Sequence, residues 1–192
     1  FPTRRSSDLV DAEEVRRKPI KIGDPARAQF PKDNVSDCQA RSVHDLQLFN
    51  GRIYVGVGDW NNNRGPIDIL SFVPPATGQR AGFIKEFSVD DESVDIFRVS
   101  NGKLLVPGTD SADKVPNQWE LGNLYIKSEG KWTKRRTVPN GIHVFDATYF
   151  DGKLYVTTGT QKGAAMFESA DDGKTWIRCA HSADAGRFYE MQ

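Results

Sequence analysis

Short apolar runs separated by polar corners recur along the chain, and three of them align without gaps. The first is Asp45-Leu46-Gln47-Leu48-Phe49-Asn50-Gly51-Arg52-Ile53-Tyr54-Val55. The second is Ile96-Phe97-Arg98-Val99-Ser100-Asn101-Gly102-Lys103-Leu104-Leu105-Val106. The third is Asp146-Ala147-Thr148-Tyr149-Phe150-Asp151-Gly152-Lys153-Leu154-Tyr155-Val156. The glycines Gly51, Gly102 and Gly152 stand 51 and 50 residues apart. Each segment reads as a β-hairpin. Asn-Gly or Asp-Gly supplies the two positive φ angles of a type I′ turn, and the flanking Val, Ile, Leu, Tyr and Phe suit pleated strands. Further apolar runs fill each period: Ile67 to Val73 and Phe83 to Phe87, Leu121 to Lys127 and Trp132 to Val138, Ala164 to Ser169 and Thr175 to Cys179.

Four short strands per repeat, with no long helical pattern between them, predict an all-β fold: a partial β-propeller of about three four-stranded blades. The blades fall at about 38–88, 89–139 and 140–181, and 182–192 opens a fourth. A blade packs both faces against its neighbours, so its strands need not alternate strictly. Closed rings use ~4–8 blades, so the remaining blades of the same propeller are expected as partners. Only Leu9 to Arg17 has the pattern of a short helix; it lies outside the repeats, and 10–37 is read as a lead-in. The opening Phe1-Pro2-Thr3-Arg4-Arg5-Ser6-Ser7-Asp8-Leu9 looks like a translated sequencing adapter and is read as a non-native leader of 1–9. The N-terminus is then truncated, and a signal peptide would not be visible.

Charge removes some classes of function. Lys plus Arg and Asp plus Glu both total 26 in 192 residues, so the net charge is zero. A basic nucleic-acid binder is not expected. No run approaches the ~18 apolar residues of a membrane span. The 2 cysteines, Cys38 and Cys179, allow one disulfide but no framework. His143 and Asp146 form a His-x-x-Asp pair, which is too few ligands for a metal. No metal and no cofactor are expected.

Ser169-Ala170-Asp171-Asp172-Gly173-Lys174-Thr175-Trp176 fits S-x-D-x-G-x-T-W at every position. It resembles the Asp-box (BNR repeat) of the sialidase-like propellers. Its chemistry is local: Asp171 can accept bonds from N–H groups of its own turn, Gly173 permits a left-handed φ, and Ser169 can add a side-chain bond. Thr175 completes the motif, and the Trp176 ring can cover the turn. The second repeat keeps only Ser128-Glu129-Gly130-Lys131-Trp132, and the first has Pro74-Pro75-Ala76-Thr77-Gly78 at the same place. The resemblance implies that the box joins the third and fourth strands, on the face away from any active site.

Alternate connections of a four-stranded blade emerge at opposite ends. A ligand is therefore expected on the end holding the loops between strands two and three and between blades, which are longer and more varied. The first such loop offers Asp59, Trp60, Asn61, Asn62, Asn63 and Arg64, where Trp60 can stack on a sugar and the amides can bond to hydroxyls. The second offers Asp110, Gln118 and Trp119. Between blades lie Arg41, His44 and Asp45, then Asp90, Asp91, Glu92 and Asp95, then His143 and Asp146. Asp45 and Asp146 are equivalent by the repeat and suit a structural role. Asp90, Asp91 and Glu92 read as a solvated acidic turn. Arg98, mid-strand, needs a partner: a buried ion pair is favoured over an anionic ligand.

The function expected is a non-catalytic ligand-binding module, for glycan or protein, of a secreted, periplasmic or cell-surface protein. One alternative is a glycoside hydrolase of the sialidase-like superfamily. Sialidases use a Tyr–Glu pair, an Asp acid and three Arg, and here Phe97-Arg98-Val99-Ser100 is similar only in part to their Phe-Arg-Ile-Pro. No Tyr–Glu pair can be assigned, although Tyr189-Glu190 stands near the end. A scaffold or assembly factor is the second alternative.

Overall fold

The computed structural model describes residues 21–30, 42–59, 65–73, 82–111, 121–139, 141–160, 163–185, 187 and 191. Among the described residues a short helix α1 (Pro25–Gln29) precedes fourteen strands. Sheet I is a four-stranded antiparallel meander of β1 (Val43–Phe49), β2 (Arg52–Val57), β3 (Ile67–Phe72) and β4 (Phe83–Val89). The connection to sheet II contains β5 (Asp91–Ser93). Sheet II is a second meander of β6 (Arg98–Ser100), β7 (Lys103–Pro107), β9 (Leu121–Ser128) and β10 (Lys131–Pro139), with β8 (Thr109–Ser111) between β7 and β9. Sheet III continues the pattern with β11 (His143–Phe150), β12 (Lys153–Thr160), β13 (Gly163–Ser169) and β14 (Ile177–Ser182). Its inner edge is extended by β8 and β5 to six strands. The chain is thus all-β with antiparallel sheets, and no sheet closes on itself among the described residues.

The corners form as their residue types dictate. Asn50 and Gly51, Asn101 and Gly102, and Asp151 and Gly152 all have positive φ, from 46° to 74°. Glu129 and Gly130 make a fourth such corner, with φ of 50° and 77°, where the sequence shows only a remnant of the motif. Type I′ geometry matches the twist of the strands it joins.

Alternation along sheet II fills the spaces on both its sides. Leu104, Val106 and Tyr125 point into a core shared with Tyr54, Val55 and Ile69 of sheet I. Their neighbours Leu105, Leu124 and Ile126 point the other way, into a core shared with Ala147, Leu154 and Val156 of sheet III. A period of two delivers successive side chains to opposite faces, so one sheet of unremarkable strands serves two cores. Phe97 and Arg98 show the same division. Phe97, 1 % exposed, meets the Tyr54 ring of sheet I edge-on at 6.2 Å. Arg98 turns to sheet III and holds Asp146 in a fork, Nε to Oδ1 at 2.8 Å and Nη2 to Oδ2 at 3.2 Å.

Asp45 and Asp146 sit at register shifts near the start of β1 and β11. Asp45 accepts the N–H of Phe97 at 2.7 Å, and Asp146 accepts that of Met191 at 2.9 Å. Each carboxylate thus ties down the backbone of the segment that follows its own sheet.

Several expectations need correction. The helix seen is Pro25–Gln29, with Asp24 as its cap and Pro25 opening it, whereas Leu9 to Arg17 lies outside the described residues. Sheet III carries two more strands than a four-stranded unit. Asp91 and Glu92 are not a solvated turn: they are 1 % and 4 % exposed. Asp90 beside them pairs with Lys134. Of the segment expected to open a further blade, only Arg187 and Met191 are described beyond Ala185, and neither is in a strand.

Candidate functional site

The turn at 169–176 behaves as its residues require. Asp171 Oδ1 accepts the N–H groups of Lys174 at 3.0 Å and Thr175 at 2.9 Å, and Oδ2 accepts the Thr175 hydroxyl at 2.8 Å. The bonds from Thr175, joined by those from Ser169 and Lys174, hold the Asp171 carboxyl down at about 2. Ser169 Oγ donates to Asp171 and accepts the Gly173 N–H, both at 2.8 Å. Gly173 has φ +77°. The turn is not only local, however. Asp172 accepts from Lys103 at 2.8 Å and Tyr149 at 2.6 Å, and Arg135 donates to its carbonyl at 3.1 Å. Trp176 donates its indole N–H to Thr137 at 3.0 Å. The turn therefore fastens sheet III to sheet II, at the end where the Asn-Gly corners lie.

At the opposite end, backbone pairing runs crosswise. Gly58 bridges Ser93, Ser93 pairs with Thr109, and Thr109 pairs with His143. The ribbon is completed by bonds from Asp59 N–H to Glu92 O and from Asp110 N–H to Ile142 O, both 3.1 Å. It joins the end of β2, the connection between sheets I and II, the segment after β7 and the start of β11. These are the loop ends where a ligand is expected from the strand order read in the sequence.

The register also decides which side chains meet. If Ser93 opposes Thr109 and Asp91 opposes Ser111, then Glu92 opposes Asp110. The bridge of Gly58 with Ser93 sets Asp59 against Glu92 on the other side. Asp59, Glu92 and Asp110 thus form one row, with directly opposed Cβ atoms typically ~5 Å apart. Asp59 is fully buried and Glu92 nearly so. Asp110 has φ +47°, a left-handed conformation that few residues other than Asn and Asp tolerate.

Two imidazoles flank the row. His44 Nδ1 lies 2.7 Å from Asp95 Oδ1, and Thr109 donates to Asp95 Oδ2 at 3.1 Å. Burial raises the Asp95 carboxyl, but these bonds, led by His44, outweigh it and leave Asp95 below the usual carboxylate range. His143 Nε2 lies 3.2 Å from Asp110 Oδ1, and the ring stacks on Phe145 at 5.6 Å. Burial, with Arg187 nearby, lowers the His143 ring below its ordinary value despite Asp110. Glu92 goes the other way. Burial, followed by the fields of Asp110, Asp95, Asp91 and Asp59, raises it to about 8. Asp91, on the reverse side, is raised to about 7 by burial, although it accepts from Tyr125 at 2.5 Å and Asn123 at 3.0 Å.

Of the ligand residues expected from sequence, the structure brings Asp59, Asp110 and His143 to this ribbon. Arg98 pairs with Asp146, the ion pair favoured for it over an anionic ligand. Trp60, Asn61, Asn62, Asn63, Arg64, Gln118 and Trp119 lie outside the described residues, as do Arg41, Cys38 and Tyr189-Glu190. Cys179 is a free, exposed thiol. Sequence reasoning missed Glu92, because an Asp-Asp-Glu run has the composition of a wet turn. Its one signal is position: it falls between successive repeats, where the ligand end was expected. Among the described residues no group of three or more His, Cys, Asp or Glu is arranged to hold a metal ion. No described helix is long and apolar enough to cross a membrane. No protein-family model matches the chain, and no curated protein matches it.

Proposed function

We propose that the chain is part of a β-propeller of the Asp-box kind and acts as a non-catalytic ligand-binding module, for glycan or protein, in a secreted, periplasmic or cell-surface protein. The observation that carries this reading is the acidic row Asp59, Glu92 and Asp110, gathered from three successive connections at one end of the sheets. A binding site made by several connections on a rigid β scaffold is where recognition residues concentrate.

The exposure of equivalent positions supports the ring. Phe97 and Ala147 are 1 % and 0 % exposed, each covered by the sheet before its own. Leu46 holds the same place in the first repeat and is 60 % exposed, with Leu48 at 66 % on the same strand face. A further sheet in front of sheet I would cover Leu46 as sheet I covers Phe97. Until one does, this apolar face favours self-association. Leu46→Asp is expected to shift the isolated chain toward monomer in sedimentation velocity. Unchanged association would count against a missing neighbour there.

One observation favours the glycosidase reading as the second choice. Glu92 keeps its proton up to about 8 while Asp95 stays ionised, and carboxyls driven apart in this way can divide acid and base roles. A glycan array and fluorogenic glycosides, a sialoside included, separate the two. The binding reading expects an array signal that Asp110→Ala abolishes, with no turnover. Turnover lost in Glu92→Gln would make the protein an enzyme instead.

A further inference from the structure

The same two kinds of face meet twice inside the chain. The face of sheet I that carries Phe49 and Tyr54 packs on the face of sheet II that carries Phe97 and Leu104. The Leu105 face of sheet II packs in turn on the Ala147 and Leu154 face of sheet III. Each sheet thus has a leading face, turned to the sheet before it, and a trailing face, turned to the sheet after it. The leading face of sheet I and the trailing face of sheet III are left over, and both expose large apolar side chains. We propose that a second copy of this chain covers them head to tail, the Phe150 face of one copy on the Leu46 and Leu48 face of the next. The inference rests on the partial-propeller reading above and names a source for the missing sheets.

Register assigns side chains to the trailing face of sheet III. Phe150 opposes Lys153, Tyr155 opposes Glu168, and Glu168 opposes Ile177. Directly opposed residues project from one side of a sheet. Lys153 and Tyr155 both donate to Glu168, at 2.7 Å and 3.1 Å, which joins these pairs on one face. Phe150 holds the repeat position of Phe49, and Tyr155 that of Tyr54. Phe49 is 7 % exposed against sheet II, whereas Phe150 is 71 % exposed and Ile177 69 %. Lys153 and Glu168 neutralise each other, so docking leaves neither of them buried without its partner. Arg187 over Phe145 and Met191 at Asp146 meet the loop end of β11, away from Phe150 at its corner end.

On the leading face of sheet I, Leu46 opposes Val55 and Leu48 opposes Ile53. The I–II and II–III joints show what such a face receives: the trailing face of another sheet of this same repeat. A second copy offers that face in sheet III. A contact between unlike faces is heterologous, and it ends in a ring only if the steps complete a turn. Three sheets per chain make six in a pair and nine in a trio, while rings hold ~4–8 blades. A closed pair therefore fits, with each open face used once per copy.

The test uses the full chain. In sedimentation velocity the inference expects a two-copy species for the wild type, lost in Leu46→Asp and in Phe150→Asp alike. Cross-linking fixes the direction. In a background of Cys38→Ser and Cys179→Ser, one preparation carries Leu48→Cys and another Phe150→Cys, and a short bismaleimide is added. Covalent pairs are expected from the mixture, and far fewer from either preparation alone. Leu46, Leu48 and Phe150 are each more than half exposed, so these changes leave the single copy folded. A monomeric wild type, a species larger than the pair, links among Leu48→Cys copies alone, or a mixture that does not link overturns the inference. The partial-propeller reading survives those results, because the missing sheets then have another source. That reading fails as well if the chain pairs and neither aspartate variant alters the pairing.

Discussion

Asp146→Ala is expected to lower the free energy of unfolding by about 3 kcal/mol, the low end of the range for removing one partner of a buried pair, because the Arg98 side chain is 31 % exposed to water. Asp146 is 1 % exposed and accepts four bonds, from Arg98 twice and from the N–H groups of Ala147 and Met191. The alanine leaves a guanidinium and two N–H groups without that acceptor. Urea unfolding followed by circular dichroism measures the loss, and a double-mutant cycle assigns it. Arg98→Met with Asp146→Leu should lose markedly less than Asp146→Ala alone, because no charge remains to be satisfied. A loss below about 1 kcal/mol for Asp146→Ala would show that the fork contributes little.

Phe97→Ala is expected to cost a similar amount, about 3–5 kcal/mol, by a different cause. The ring is 1 % exposed and belongs to the core between sheets I and II, with Tyr54 and Val94. It fits because Gly56 has no side chain: a Cβ there would lie 3.2 Å from the ring. Removing it opens a cavity between two sheets that share few backbone bonds, so the walls cannot close without moving a whole sheet. Phe97→Leu keeps most of the volume and should cost less than half as much. Equal losses for both variants would mean that ring shape, not filled volume, holds the sheets.

The strands and corners were legible because their causes are local. Asn-Gly and Asp-Gly need no tertiary help to adopt two positive φ angles, and all three repeated pairs do so. The same holds for the bonds of Asp171 within its own turn. What escaped reading depends on residues far apart in sequence. Strands β5 and β8 are three residues each, Asp-Glu-Ser and Thr-Asp-Ser, and no alternation can show in so short a polar piece. They are strands because β5 pairs with β8 and β8 with β11. Glu92 is buried for the same reason. The five residues of α1 are too few for a periodic stripe, although Asp24 before Pro25 is a legible start signal. The reach of Asp172 to Lys103 and Tyr149 depends on how two sheets meet, and no local motif encodes that.

The crosswise ribbon of Gly58, Ser93, Thr109 and His143 is held by main-chain pairing. Its shape therefore depends little on which side chains project from the alternate row. Positions 59 and 92 can exchange residue types during divergence while the rim they stand on persists, whereas position 110, at φ +47°, is held to Asn, Asp or Gly. Lineages sharing this scaffold can then trade one recognition chemistry for another by point substitution, without remodelling the architecture beneath.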